Sequence, residues 1–189
     1  SIATLLGGYR TGYFPMVVNG DIRWLSPERR GVIPLDRFKV SRRLARLMRQ
    51  DRFRCTVDAA FRDVIQACAS RPNTDGNWID PELLESYCLL HRVGHAHSVE
   101  VWQEGRLAGG LYGVSLRGAF FGESMFHHTS DASKVSLCSL ISRLNQRSYR
   151  LLDLQWLTPH LEQFGAVEIP RSTYLKILAE AMNVDCSFF

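Results

Sequence analysis

Glu123 lies inside FFGESMF, residues 120–126, with phenylalanines and a methionine on either side. Removing an unpaired carboxylate from water costs several kcal/mol, so such a residue is either a solvated strand end or a member of a partnered polar group. Asp153 and Gln155 pose the same question in LLDLQWL, residues 151–157, where they interrupt a second apolar run. On a strand, residues i and i+2 share a face, so these two side chains are expected to point the same way. Each alone has a structural explanation in a hydrogen bond between neighbouring strands. Together the three suggest a polar cluster lining an apolar cavity, the usual form of a small-ligand site.

A second chemistry-bearing group is basic. In RFKVSRRLARLMRQDRFR, Ser41 is a plausible helix N-cap. At 100° per residue Lys39, Arg42, Arg46 and Arg49 share one face, and Val40, Leu44, Leu47 and Met48 share the opposite one. A solvated basic face is the plain reading, and a phosphate backbone is the ligand that the alternative implies. The surrounding charge favours an anionic partner: residues 1–54 hold 12 Lys/Arg against 4 Asp/Glu, while the rest holds 11 against 15, although the whole chain carries only +4.

Metal and disulfide chemistry are not expected. The five cysteines are widely spaced with no C-x-x-C, which fits a reducing compartment. His91 and His95 stand at i, i+4, but Gly94 between them is expected to end the helix before a metal-binding face can form. No apolar run approaches a membrane span, so a soluble, untargeted protein is expected.

The elements that would position these groups follow from periodicity. At 189 residues and 46% hydrophobic content the chain can bury a core as one domain, or as one plus a small appendage. Residues 1–36 are rich in turn formers and are expected to form a small N-terminal module of turns and short strands rather than helix, with the main domain over 37–189. VDAAFRDVIQACAS predicts a helix capped by Asp58. DPELLESYCLLHRVG predicts another, with Asp80 as N-cap, Pro81 in the first turn and Gly94 just past the end. The loop between them carries Trp78, packed on the core or stacked on a ligand. From residue 97 the period becomes two, and HSVEVWQ, LAGGLYGVS and AFFGESMF predict three consecutive antiparallel strands. Gly109, Gly110, Gly113 and Gly122 inside them suggest bulges or close approach of a ligand. A helix at SDASKVSLCSLISRLNQ, the LLDLQWL strand, a helical turn at PHLEQFG, a short strand at AVEI and a helix from Ser172 complete an α+β pattern.

These stretches resemble the leucyl/phenylalanyl-tRNA-protein transferase family. The likeness runs nearly the whole chain in order, through GGYRTGYFP, RWLSPERRGV, LLHRVGHAHSVEVW, LAGGLYGVSL, FFGESMF, LLDLQ and HLEQFGAVEIPR. It implies an acetyltransferase-like (GNAT-type) fold with a mixed sheet and flanking helices behind an N-terminal domain that is incomplete here. The implied activity moves Leu or Phe, and less efficiently Met, from aminoacyl-tRNA to the N-terminal Arg or Lys of proteins. That marks them for degradation by the bacterial N-end rule, in the cytoplasm and with no cofactor. The catalytic pair of the family matches Asp153 and Gln155, and its pocket glutamate matches Glu123. Its apolar pocket maps onto Leu111, Phe120, Met125, Leu140 and Leu152; its tRNA contacts map onto Tyr9, Trp78, Tyr87, Arg42, Arg46 and Arg49. Many members have Trp where this chain has Met16, and an Asn is common where it has Asp131. Two rival readings are an acyl-CoA-dependent N-acetyltransferase and a catalytically inactive tRNA-binding homologue. The first would need a phosphate-binding glycine loop at a helix N-terminus, and RLAGGL at 106–111 is expected between strands instead.

Overall fold

The computed structural model describes residues 1–71 and 79–189, so Trp78 lies outside the described residues. The chain opens with a helix, α1 (Ile2–Arg10), where turns and strands were expected. Ser1 Oγ accepts from the Thr4 amide as its N-cap, and Leu5 and Tyr9, one turn apart, are buried. Tertiary contact outweighs the poor helix propensity of its two glycines: a Cβ at Gly8 would come within 2.1 Å of the Trp24 ring. A two-stranded hairpin follows, β1 (Phe14–Val18) and β2 (Asp21–Leu25), turned at Asn19–Gly20 with both residues at positive φ.

Among the described residues the large sheet has seven strands. They are β3 (Arg29–Ile33), β4 (Arg54–Val57), β5 (Ala96–Gln103), β6 (Arg106–Leu116), β7 (Ala119–His127), β8 (Leu151–Gln155) and β9 (Val167–Pro170), in the spatial order β4-β5-β6-β7-β8-β3-β9. Every pairing is antiparallel except β7 with β8, which run parallel. The expected meander is therefore present as β5-β6-β7. β4, which follows the basic helix, was not anticipated, and β3, a short strand of the stretch read as the N-terminal module, sits in the large sheet between β8 and β9.

Helices cover both faces. On one side α1 packs with α3 (Phe61–Ala69), α4 (Pro81–Arg92) and α7 (Arg171–Met182), burying Tyr9, Val64, Ile65, Tyr87 and Tyr174. On the other, α2 (Arg42–Arg49) and α5 (Ala132–Gln146) bury Leu44, Val135, Leu140 and Ile141, next to the short α6 (Pro159–Glu162). Burying each such aliphatic side chain contributes about 1.5–3 kcal/mol. The α+β class with a mixed sheet and flanking helices is thus what the sequence implied.

Capping is partly as expected. Asp80 accepts from the Leu83 amide at 2.7 Å with Pro81 opening α4, and Ser41 caps α2. Asp58 does not cap α3: it sits at φ 54°, and its carboxylate accepts from His97 Nδ1 at 2.7 Å and the Ser98 amide at 2.8 Å. Glu100, fully buried on β5, instead accepts from the Ala59 and Ala60 amides ahead of α3. A side chain from a distant strand thus satisfies donors that the local sequence leaves open. Among the described residues no helix is long and apolar enough to cross a membrane.

Candidate active site

Two bulges build the site. Along β6 and β7, Tyr112 pairs with Ser124 while Gly113 pairs with Gly122, so Glu123 is the extra residue of a bulge. Along β3 and β8, Val32 pairs with Asp153 while Gly31 pairs with Gln155, which makes Leu154 the extra residue. A bulge bends its strand and re-aims side chains. The parallel pairing of β7 with β8 ends at Phe121 and Asp153, just before both bulges. Beyond that point a cavity of about 550 Å³ is walled by both strands, by α5 and by residues 15–16.

The cavity is apolar with a polar end. Leu111, Met125, Leu137, Leu140, Leu152 and Leu154 line it, and Glu123 and Gln155 share its wall. Glu123 has one partner on each oxygen: Oε1 accepts from the Tyr9 hydroxyl at 2.5 Å and Oε2 from Gln155 Nε2 at 3.3 Å. Tyr87 Oη lies 2.6 Å from Tyr9 Oη, so the two hydroxyls and the carboxylate form one buried group. Burial pushes the Glu123 carboxyl up to about 7, against the opposing pull of the two tyrosine hydroxyls. The Asp153 charge adds to the rise and Gln155 lowers it. Both tyrosines are raised well above their ordinary value, mainly by burial.

Gln155 lines the cavity and Asp153 does not. The bulge at Leu154 and a left-handed backbone at Gln155, φ 69°, break the alternation expected of residues i and i+2. Asp153 is fully buried and is not part of the cavity lining; Arg30 donates to both its oxygens, Nε to Oδ1 at 3.0 Å and Nη2 to Oδ2 at 2.7 Å. Tyr174 donates to Oδ2 at 2.7 Å, and the Gln155 main-chain N–H donates to Oδ1 at 2.8 Å. Arg30 is itself 1% exposed, between the rings of Phe14 and Tyr174. Its burial pulls the guanidinium pKa down, but the Asp153 charge and hydrogen bonds more than offset this.

Of the residues singled out in the sequence, Glu123, Gln155, Leu111, Met125, Leu140 and Leu152 meet at one cavity. Phe120 is not part of its lining; that ring is fully buried and stacks on Phe188. Tyr9 and Tyr87 lie buried behind Glu123. Gly109 and Gly110 serve packing rather than a ligand, since a Cβ on them would meet Ala132 of α5 at 2.6 Å and Val99 O at 2.7 Å. RLAGGL lies within β6, between β5 and β7, and is not a loop that leads into a helix. On α2, Arg42, Arg46 and Arg49 are exposed around one shallow recess, whereas Arg43 is held by Asp131 through two bonds of 2.7 and 2.8 Å. Val40 and Met48, expected on the buried face, are exposed, and only Leu44 and Leu47 pack inward. Sequence reading missed Arg30 and Tyr174, together with Trp156 and His160 on the cavity wall. The one available signal for Arg30 was a charged residue directly before the apolar GVI of a strand.

An apolar cavity tipped by a buried carboxylate and a neutral amide defines a site for a group with an apolar body and a cationic or hydrogen-bonding head. The sequence profile of the family described as leucyl/phenylalanyl-tRNA protein transferase matches residues 32–179. A leucyl/phenylalanyl-tRNA–protein transferase of Rhodopseudomonas palustris (strain TIE-1) is 51% identical over 97% of this chain and 84% of its own length. Another, of Phenylobacterium zucineum (strain HLK1), is 52% identical over 98% of this chain and 86% of its own. The chain belongs to the leucyl/phenylalanyl-tRNA protein transferase family. Among solved structures, a ribosomal-protein-alanine N-acetyltransferase from Brucella melitensis biovar Abortus 2308 is similar at 13% identity and a TM-score of 0.43, over 59% of this chain and 84% of that one. A likeness that slight bears on neither fold nor function.

Proposed function

We propose that this protein transfers leucine or phenylalanine, and less efficiently methionine, from aminoacyl-tRNA to the α-amine of an N-terminal Arg or Lys, marking the acceptor protein for degradation by the N-end rule. The observation that carries this reading is the pairing of Glu123 with an apolar cavity in a chain of this family. The carried side chain fills the space between Leu111, Met125, Leu140 and Leu152, and Glu123 accepts from the α-ammonium of the same amino acid. Such a cavity separates donors that differ by one methylene by only about 1–3 kcal/mol, which accounts for some use of methionine.

The donor ester is already activated, so the reaction needs positioning and the loss of one proton. The amine nitrogen bonds to the ester carbonyl carbon, the bond to the ribose oxygen breaks, and the amine proton ends on that oxygen. The attacking amine has a reference pKa of about 7.7–8.0 and is partly neutral near pH 7, so no strong base is required. Gln155 donates through Nε2 to Glu123, which leaves its carbonyl oxygen to accept from the amine. Arg42, Arg46 and Arg49 bind phosphates of the tRNA, and Tyr9 and Tyr87 hold Glu123 against the donor. The test is incubation of the protein with radiolabelled leucyl-tRNA and an Arg-initiated peptide. Label should move to the peptide; no transfer at any protein concentration would reject the reading.

A further inference from the structure

Among the described residues Arg30 is the largest fully buried side chain, and it is not part of the cavity lining. Its guanidinium spans two parts of the site. Two of its nitrogens grip Asp153, while Nη1 donates to the Gly12 carbonyl at 2.9 Å, just ahead of the strand that brings Pro15 and Met16 to the cavity. With the Tyr174 hydroxyl and the Gln155 amide also on it, the Asp153 carboxylate is committed to protein groups on both oxygens. The backbone at Gln155 occupies a region that non-glycine residues rarely adopt, and such conformations persist only where surrounding contacts impose them. On β3, Gly31 allows it: a Cβ there would lie 2.4 Å from the Trp156 carbonyl carbon.

We propose that Arg30 is a positioning residue of the transfer reaction: with Tyr174 it fixes the Asp153 carboxylate, which through the Gln155 main-chain N–H holds Gln155 left-handed and so turns its amide into the cavity beside Glu123. Asp153 then acts on the backbone of Gln155 and not on the attacking amine. The inference rests on the proposed transferase reading. Lysine at position 30 keeps the charge but cannot grip two oxygens in parallel.

Arg30→Lys is therefore expected to lower kcat for leucyl transfer about tenfold or more while KM for leucyl-tRNA stays within about twofold, the signature of an interaction that serves the transition state. Hydrogen exchange at the Gln155 main-chain amide, followed by NMR, should accelerate about tenfold in the same variant. Tyr174→Phe, which removes one hydroxyl without changing shape, should move both readouts in the same direction by less, and serves alone if Arg30→Lys does not fold. A variant that melts earlier but keeps its kcat would overturn the proposal. So would one that loses kcat with the Gln155 amide as protected as in the parent. Absence of transfer by the unaltered protein would instead reject the transferase reading.

Discussion

Glu123 carries two demands that pull against each other. To meet a donor ammonium it must be ionised, yet burial holds its carboxyl near 7, well above the ordinary value of 4.5. A carboxyl whose folded pKa is raised binds more protons folded than unfolded, so its contribution favours folding below about pH 4.5 and is lost as pH rises through 7. The difference of about 2.5 units corresponds to roughly 3 kcal/mol across that window. Glu123→Gln should remove this slope. In urea unfolding at pH 5 and pH 8, the parent should lose more stability between the two than the variant does. Identical losses would show that Glu123 is not the group responsible. The left-handed Gln155 is a second local cost at the same site, on the order of 1–3 kcal/mol. Both costs sit where the chemistry is proposed and are absorbed by the packed sheet around them.

At the scale of elements, α5 links the two candidate binding surfaces. Its Leu137 and Leu140 wall the cavity, and Asp131 just before it holds Arg43 of α2. The basic helix is thereby tied to the cavity wall while Arg42, Arg46 and Arg49 stay exposed. If these three contact phosphates, replacing all of them with Ala should flatten the dependence of log tRNA affinity on log salt by roughly 2–3 units, at about 0.7–0.9 per lost contact. Thermal stability should scarcely change, because only Leu44 and Leu47 pack inward. An unchanged salt slope would leave the helix a solvated surface. The sequence made most of these elements legible: caps at Ser41 and Asp80, the β5-β6-β7 meander and its turns follow from local chemistry. It concealed α1, whose glycines obscure a helix that buries its own Tyr9 and packs against Trp24 of β2. It concealed the role of Asp58 as well, because His97 and Ser98 lie some 40 positions away.

For the whole molecule, the site exists because two strands part. Polar residues in apolar runs pointed to Glu123, Asp153 and Gln155, but alternation alone aimed Asp153 at the cavity. A bulge changes the face of every residue beyond it, and it leaves no mark in a pattern of period two. Arg30 stayed hidden for a related reason: its place directly before GVI is a weak mark beside its exposed neighbour Arg29, and only the folded sheet sets it over Asp153. The central claim is that the cavity between β7 and β8 holds the donor amino acid with its α-ammonium on Glu123. The measurement that tests it most directly compares transfer from leucyl-tRNA with transfer from the same tRNA carrying the α-hydroxy analogue of leucine, in the parent and in Glu123→Gln at pH 8. The parent should prefer the amino donor by about tenfold or more, the scale of one charge-assisted hydrogen bond, and Glu123→Gln should lose most of that preference. An equal preference in both proteins would contradict the assignment of this cavity to the donor.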